Sequence, residues 1–209
     1  YKSVRSKGIK PIAGAEINHV RDSSSHNEHA NLTLIAKNKL GYKNLIKLIS
    51  KSQIVGKTSG IPVIETEWLA EHSDGLIALS GGFRGHIGKA VLDTNHDLFL
   101  KRIKYFQKIF NEDFILEISR INRPQEDLYN DYILSKAGEL GLPVVASNEV
   151  RFIDKEDYEA HETRVCIQKG EVLSDTRRTR SYFEDQYFLS PEEMHEKFKD
   201  IPEVLSNAY

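Results

Sequence analysis

Short apolar runs rich in β-branched residues alternate along this chain with longer segments whose apolar positions recur at three and four. The runs are Ile9–Ile17, Leu32–Ala36, Leu76–Ser80, Phe114–Ile118 and Pro143–Ser147. Most are continuously apolar, as expected of strands in a parallel sheet that is covered by helices. Between them, Tyr42–Ser52 gathers Leu45, Ile46, Leu48 and Ile49 on one helical side. Leu98–Phe110 does the same with Ile103, Phe106, Ile109 and Phe110. Strand and helix in alternation predict βαβ units and an α/β layer or barrel.

Local chemistry sharpens the helix boundaries. The segment Pro124–Leu140 opens on a proline suited to a first helical turn and stops at Gly141, with Pro143 just beyond. Asp154–Gln168 opens on an N-cap residue with Asp157 three positions on. Ser190-Pro191-Glu192-Glu193 combines a capping serine, proline at N1 and glutamate at N3. Arg21–His29 is polar and serine-rich and reads as an exposed loop, and Ser174–Gln186 reads as irregular. With no internal repeat or linker, residues 1–209 read as one domain.

Composition narrows the classes. A chain of 209 residues is long enough to bury a core. No run approaches the roughly 18 apolar residues of a membrane helix, and the first residues lack a signal peptide's apolar core. The single cysteine, Cys166, excludes an intrachain disulfide and a multi-cysteine zinc site, which suits a cytoplasmic protein. The formal net charge of -2 gives no broad positive field. Any DNA contact must therefore come from a local patch. Arg177, Arg178 and Arg180, followed by Tyr182 and Phe183, are the candidates, although a solvated loop balanced by Glu184 and Asp185 is the simpler reading.

In parallel βα folds the working groups sit at the C-terminal ends of strands. Those positions hold Glu16 and Asn18, Ser80 to Gly82, Ser119 to Ile121, and Asn148, Glu149 and Arg151, with no histidine. His26, His29, His72, His86, His96 and His195 form no ligand motif and read as solvated. His161 lies mid-helix and reads as a packed histidine bonded to backbone or a carboxylate. The glycines of Gly81 to Gly88 loosely resemble a phosphate-binding turn but lack its register, so tight turning explains them better. Cys166 reads as a small buried hydrophobe.

Specific blocks add a resemblance. Gly8-Ile9-Lys10-Pro11-Ile12-Ala13-Gly14-Ala15-Glu16, then Leu32-Thr33-Leu34-Ile35-Ala36-Lys37-Asn38 with Gly41-Tyr42-Lys43-Asn44-Leu45, then Gly75-Leu76-Ile77-Ala78-Leu79-Ser80-Gly81-Gly82 occur in order. Gly141-Leu142-Pro143-Val144-Val145-Ala146-Ser147-Asn148-Glu149-Val150-Arg151-Phe152, Glu159-Ala160-His161-Glu162 and Asp200-Ile201-Pro202-Glu203 follow. Together the chain resembles the PHP (polymerase and histidinol phosphatase) domain of the bacterial DNA polymerase III alpha subunit. The resemblance implies a distorted (β/α)7-like barrel at the start of a replicative DNA-directed DNA polymerase, a nucleotidyltransferase. It also implies that His-x-His and Thr-Asp-His blocks precede the residues matching Tyr1, so that the barrel is incomplete here and the polymerase palm, fingers and thumb lie elsewhere.

In metal-binding members, histidines and carboxylates at strand ends hold ions that hydrolyse phosphoesters, including as a 3'-5' exonuclease. This chain departs from that pattern. Asn31 and Ile121 stand where such members have His, and Glu149 and Arg151 where they have Asp and His; Glu16 alone keeps its ligand type. Isoleucine and a guanidinium offer no lone pair to a metal, and arginine brings a positive charge of its own. The resemblance thus implies a vestigial pocket of Glu16, Asn31, Ile121, Glu149 and Arg151, no catalytic residue and no metal in this segment. Arg151 is expected to pair with Glu16, Glu149 or both. Implied partners are the rest of the alpha chain, a proofreading exonuclease subunit, and DNA through the parent protein, with no membrane. Arg120-x-x-Arg123-Pro124 is a further shared feature of the members with such a pocket. Magnesium would serve the parent polymerase; zinc or manganese enters only under the alternative, an active metal-dependent phosphoesterase.

Overall fold

The computed structural model describes residues 2–20, 29–58 and 60–208, and these form two compact units, 1–116 and 117–209. Among the described residues no helix is long and apolar enough to cross a membrane.

The first unit opens with α1 (Lys2–Ser6), β1 (Gly14–Val20), β2 (His29–Ala36) and α2 (Lys39–Ile54). The small strands β3 (Lys57–Thr58), β4 (Ile61–Pro62) and β5 (Ile64–Glu65) precede α3 (Thr66–Glu71), β6 (Leu76–Leu79), α4 (His86–Leu92) and α5 (His96–Phe110). Strand β7 (Phe114–Ser119) begins in this unit and ends in the next. The strand order is β5-β1-β2-β6-β7, with β1/β2 and β2/β6 antiparallel and β6/β7 and β1/β5 parallel. The sheet is therefore mixed, not parallel throughout. β2 shows why: its residues alternate between buried and half-buried, the pattern of an antiparallel strand with one face on the core.

Strand β1 also starts five residues later than the apolar run from Ile9 suggests. Ile9 and Ile12 are 58% and 71% exposed, so the apolar stretch continues past the strand rather than marking it. Helix α2 is longer than its apolar stripe, because Asn38 Oδ1 accepts from Leu40 N at 2.9 Å and Gly41 N at 3.0 Å and caps it. Leu45 and Leu48 of α2 are buried, as are Phe99, Ile103, Phe106 and Phe110 of α5. Helices α3 and α4 are too short for periodicity to reveal. The glycine turn before α4 is a packing device: Gly81 has φ +76°, and a Cβ at Gly85 would stand 1.9 Å from the Ser80 carbonyl oxygen.

The second unit continues from β7 through α6 (Glu126–Leu140), β8 (Val144–Ser147), α7 (Tyr158–Lys169), α8 (Pro191–Lys197) and α9 (Glu203–Ser206). Pro124 lies ahead of α6 in a turn, with Gln125 in the left-handed region (φ +66°). The predicted cap at Asp154 exists as a reciprocal box with Asp157, but it opens a 3-10 turn from which α7 starts at Tyr158. Ser190 and Glu193 form the predicted capping box around Pro191. Residues 174–186 hold neither helix nor strand. Phe152, Val165, Cys166, Leu189, Phe198 and Val204 are buried in this unit. The predicted loop at 21–28 lies outside the described residues, and His29 already belongs to β2.

Candidate functional site

Glu16 sits in the middle of β1 rather than at its C-terminal end, because the strand runs on to Val20. Its neighbour on β2 supplies its partner. Asn31 Nδ2 donates to Glu16 Oε1 at 2.6 Å, a charge-assisted bond at the solvent face of the sheet. Asn31 also bridges to Gly85 in the glycine turn. Asn18, directly opposite Asn31, donates from Nδ2 to the Pro62 carbonyl at 3.3 Å. The amide satisfies one oxygen of the carboxylate.

In the second unit, Ile121 is fully buried on the turn after β7. Glu126, in the first turn of α6, holds that turn. Its Oε1 accepts from Ser119 Oγ at 2.9 Å and its Oε2 from Ile121 N at 2.7 Å. Burial pushes the Glu126 carboxyl above its ordinary range, while these hydrogen bonds pull against that rise. Asn130 Nδ2 adds a bond to the Ser119 carbonyl, and Tyr129 Oη one to that of Glu117, both at 2.8 Å. Glu126 carries no motif signature, and a carboxylate in a first helical turn reads as ordinary dipole compensation, so sequence reasoning passes over it.

Glu149 follows β8 with φ +43°, a conformation that costs a non-glycine residue about 1 kcal/mol or more. Gln186, fully buried, holds it by donating to its carbonyl at 3.0 Å, and the Gln186 carbonyl in turn accepts from Arg151 N at 2.7 Å. The Glu149 carboxylate pairs with Arg123 at 2.8 Å, with the two side chains 15% and 6% exposed. Arg123, not Arg151, is therefore its cation. Arg151 instead places its guanidinium carbon 5.8 Å from the Tyr182 ring centroid, and its Nε is buried without a hydrogen-bond partner. The turn from Ile121 to Glu126 brings Arg123 to Glu149, a reach that linear spacing does not show.

The histidines correct the sequence reading in two places. His86 is buried, as is His19; their rings meet edge-on at 5.1 Å, and His86 Nε2 donates to the His19 carbonyl at 3.0 Å. Tyr105 and Phe106 complete an aromatic cluster around them. Turn-like flanking residues hid the burial of His86, since Gly85 and Gly88 are there for close packing. His161 is packed as predicted, but against rings rather than a carboxylate: Tyr182 edge-on at 4.6 Å and Phe152 at 5.5 Å. Its Nε2 is buried without a partner, and burial, reinforced by Arg164, pushes its pKa below the usual histidine value.

The arginine cluster is committed internally. Arg178 pairs with the buried Glu162 at 2.6 Å, its own side chain 6% exposed, and Arg177 folds back on Asp175 at 2.9 Å. Arg180 is exposed beside Tyr158. Arg120 reaches both oxygens of Asp200 at 2.6 and 2.7 Å and holds that carboxyl down to about 2. Among the described residues, no three His, Cys, Asp or Glu side chains gather where they could hold a metal ion.

Comparison with known proteins adds two findings. A family model described as the PHP domain matches residues 1–121. The chain is 44% identical over 208 residues to the DNA polymerase III subunit alpha of Vibrio cholerae serotype O1. It is 43% identical to that of Escherichia coli strain K12 and 41% to that of Pseudomonas aeruginosa, again over 208 residues. Each match takes in 100% of this chain and 18% of the relative's length.

Proposed function

The chain belongs to the PHP domain family, and on that premise we propose that it is the PHP segment of a bacterial replicative DNA polymerase III alpha subunit. Its role in that polymerase is structural. It supports the polymerase fold and docks a separate proofreading exonuclease subunit, while magnesium-dependent nucleotidyl transfer belongs to other parts of the parent chain. Such work is cytoplasmic, which suits a chain whose single cysteine is buried and free.

One observation supports the non-catalytic reading most. Each candidate ligand position is spent on a protein partner or has no lone pair to give: Glu16 is held by Asn31, Glu149 by Arg123, Ile121 is a buried alkyl group, and Arg151 is cationic. A hydrolytic PHP centre would need converging lone-pair donors to hold the metal ions that polarise a phosphoester. Here Arg123 supplies the positive charge that Glu149 requires, and removing it would expose an uncompensated carboxylate.

The test is association between the intact polymerase polypeptide and the exonuclease subunit of the same organism, measured alongside phosphoesterase activity of the polypeptide alone. The reading expects a stable complex and no zinc- or manganese-dependent hydrolysis. Hydrolysis that Glu16→Gln abolishes would overturn it in favour of an active phosphoesterase.

A further inference from the structure

Helix α2 carries Lys39, Lys43, Lys47 and Lys51, four lysines at a spacing of four, and no Asp or Glu in its 16 residues. Residues four apart stand one above another on a helix, so each successive pair of these lysines is mutually repulsive. Lys39 lies in the first turn, where the helix dipole also disfavours a cation. Only Lys51 is occupied locally, its Nζ 4.2 Å from the Trp68 ring centroid. Lys39, Lys43 and Lys47 are exposed and make no ion pair among the described residues. Folding gains nothing from this placement and is opposed by it.

The same face also exposes apolar side chains. Leu40, Tyr42, Ile46 and Ile54 are 52%, 50%, 46% and 79% exposed, while Asn44, Leu45, Leu48 and Ser52 face the core. Helical geometry sets Ile46 among the lysines and Ile54 just past Lys51, along a stripe of roughly 22 Å. A phosphate backbone would use the cations and leave the aliphatic groups wet; an acidic, partly apolar polypeptide would use both.

We propose that the exposed face of α2 is a docking surface for a polypeptide segment carrying carboxylates beside apolar side chains. This rests on the docking reading above and gives it a place: the segment belongs to the exonuclease subunit. Carboxylates of the partner set against Lys39, Lys43 and Lys47 would relieve their repulsion, so charge complementarity and apolar burial act together.

The experiment uses the intact polymerase polypeptide and the exonuclease subunit of the same organism. It compares wild type with the triple variant Lys39→Glu, Lys43→Glu, Lys47→Glu, with Ile46→Asp, and with a control pair on α5, Lys101→Glu and Lys104→Glu. The triple reversal exchanges repulsion among lysines for repulsion among carboxylates, but gives the helix N-terminus a favourable charge and Lys51 an opposite neighbour, so loss of folding is not its expected effect; circular dichroism checks this. The proposal expects the triple variant and Ile46→Asp each to weaken subunit binding tenfold or more, with the control pair changing it less than twofold. If wild type fails to bind, the docking reading itself fails. If wild type binds and the α2 variants bind equally well, or if the control pair weakens binding as much, docking lies elsewhere and this inference is wrong. If the triple variant loses affinity for a duplex oligonucleotide but keeps the subunit, the face is a DNA track and the inference is again wrong.

Discussion

Residues 1–116 carry 17 Lys and Arg against 11 Asp and Glu, whereas residues 117–209 carry 12 against 20. The formal net charge of -2 conceals this opposition. The two units also spend their charges differently. In the second, cations are committed: Arg123 to Glu149, Arg178 to Glu162, Arg120 to Asp200 and Lys197 to Asp185. Its helix α8 has Glu192 and Glu193 in the first turn and His195 and Lys197 in the last, as the helix dipole favours. In the first unit the core is apolar and aromatic, and Lys39, Lys43 and Lys47 of α2 are exposed and make no ion pair among the described residues. One unit uses charge to hold itself together; the other leaves a row of cations exposed on α2.

That contrast can be broken at several points, and the largest effect is apolar. Phe106 is 1% exposed, stacked on Phe114 at 5.1 Å and beside His19. Phe106→Ala should cost about 3–5 kcal/mol in denaturant unfolding, independent of salt. Next, Glu149→Ala in the second unit leaves the buried Arg123 without its carboxylate and should cost about 2–3 kcal/mol. Replacing Arg123 and Glu149 together by methionine should recover part of that loss.

His161 sharpens the comparison through pH. Its folded pKa lies below its unfolded value, so between the two the unfolded chain binds more protons and stability falls as pH drops. The groups facing it are Arg151 and Arg164, which oppose protonation, and Glu162, which favours it but is already paired with Arg178. Thermal melts should therefore weaken from about pH 6.5 downward. His161→Phe should flatten that dependence and stabilise by about 1 kcal/mol, because it removes a buried, unpartnered nitrogen. The smallest effect belongs to the basic unit. Lys39→Glu should stabilise by about 0.5 kcal/mol at low salt, less at high salt, by easing one lysine pair and complementing the dipole.

Much of the architecture was legible in the chain. The continuous apolar runs located β2, β6, β7 and β8, and the capping residues Asp154 and Ser190 located their helices, because these are local effects. Strand direction was not legible, since the apolar run Ile9–Ile17 extends past the strand through the exposed Ile9 and Ile12 and does not encode the antiparallel partner of β1. The resemblance picked out Glu16, Asn31, Ile121, Glu149 and Arg151 as positions worth examining. It did not reveal what holds them. Arg123 reaches Glu149 across 26 positions and Arg120 reaches Asp200 across 80, and pairs of that kind leave no periodic trace. The buried His86 was missed for a related reason: the turn glycines around it looked like a solvated loop.

The central claim is that the positions which could serve a metal cluster are spent on protein partners. Zinc content of the intact polypeptide, equilibrated with zinc and then dialysed without chelator, tests it most directly. The account predicts zinc far below one ion per chain, unchanged by Glu16→Gln or Glu149→Gln. Stoichiometric zinc that either substitution removes would contradict it.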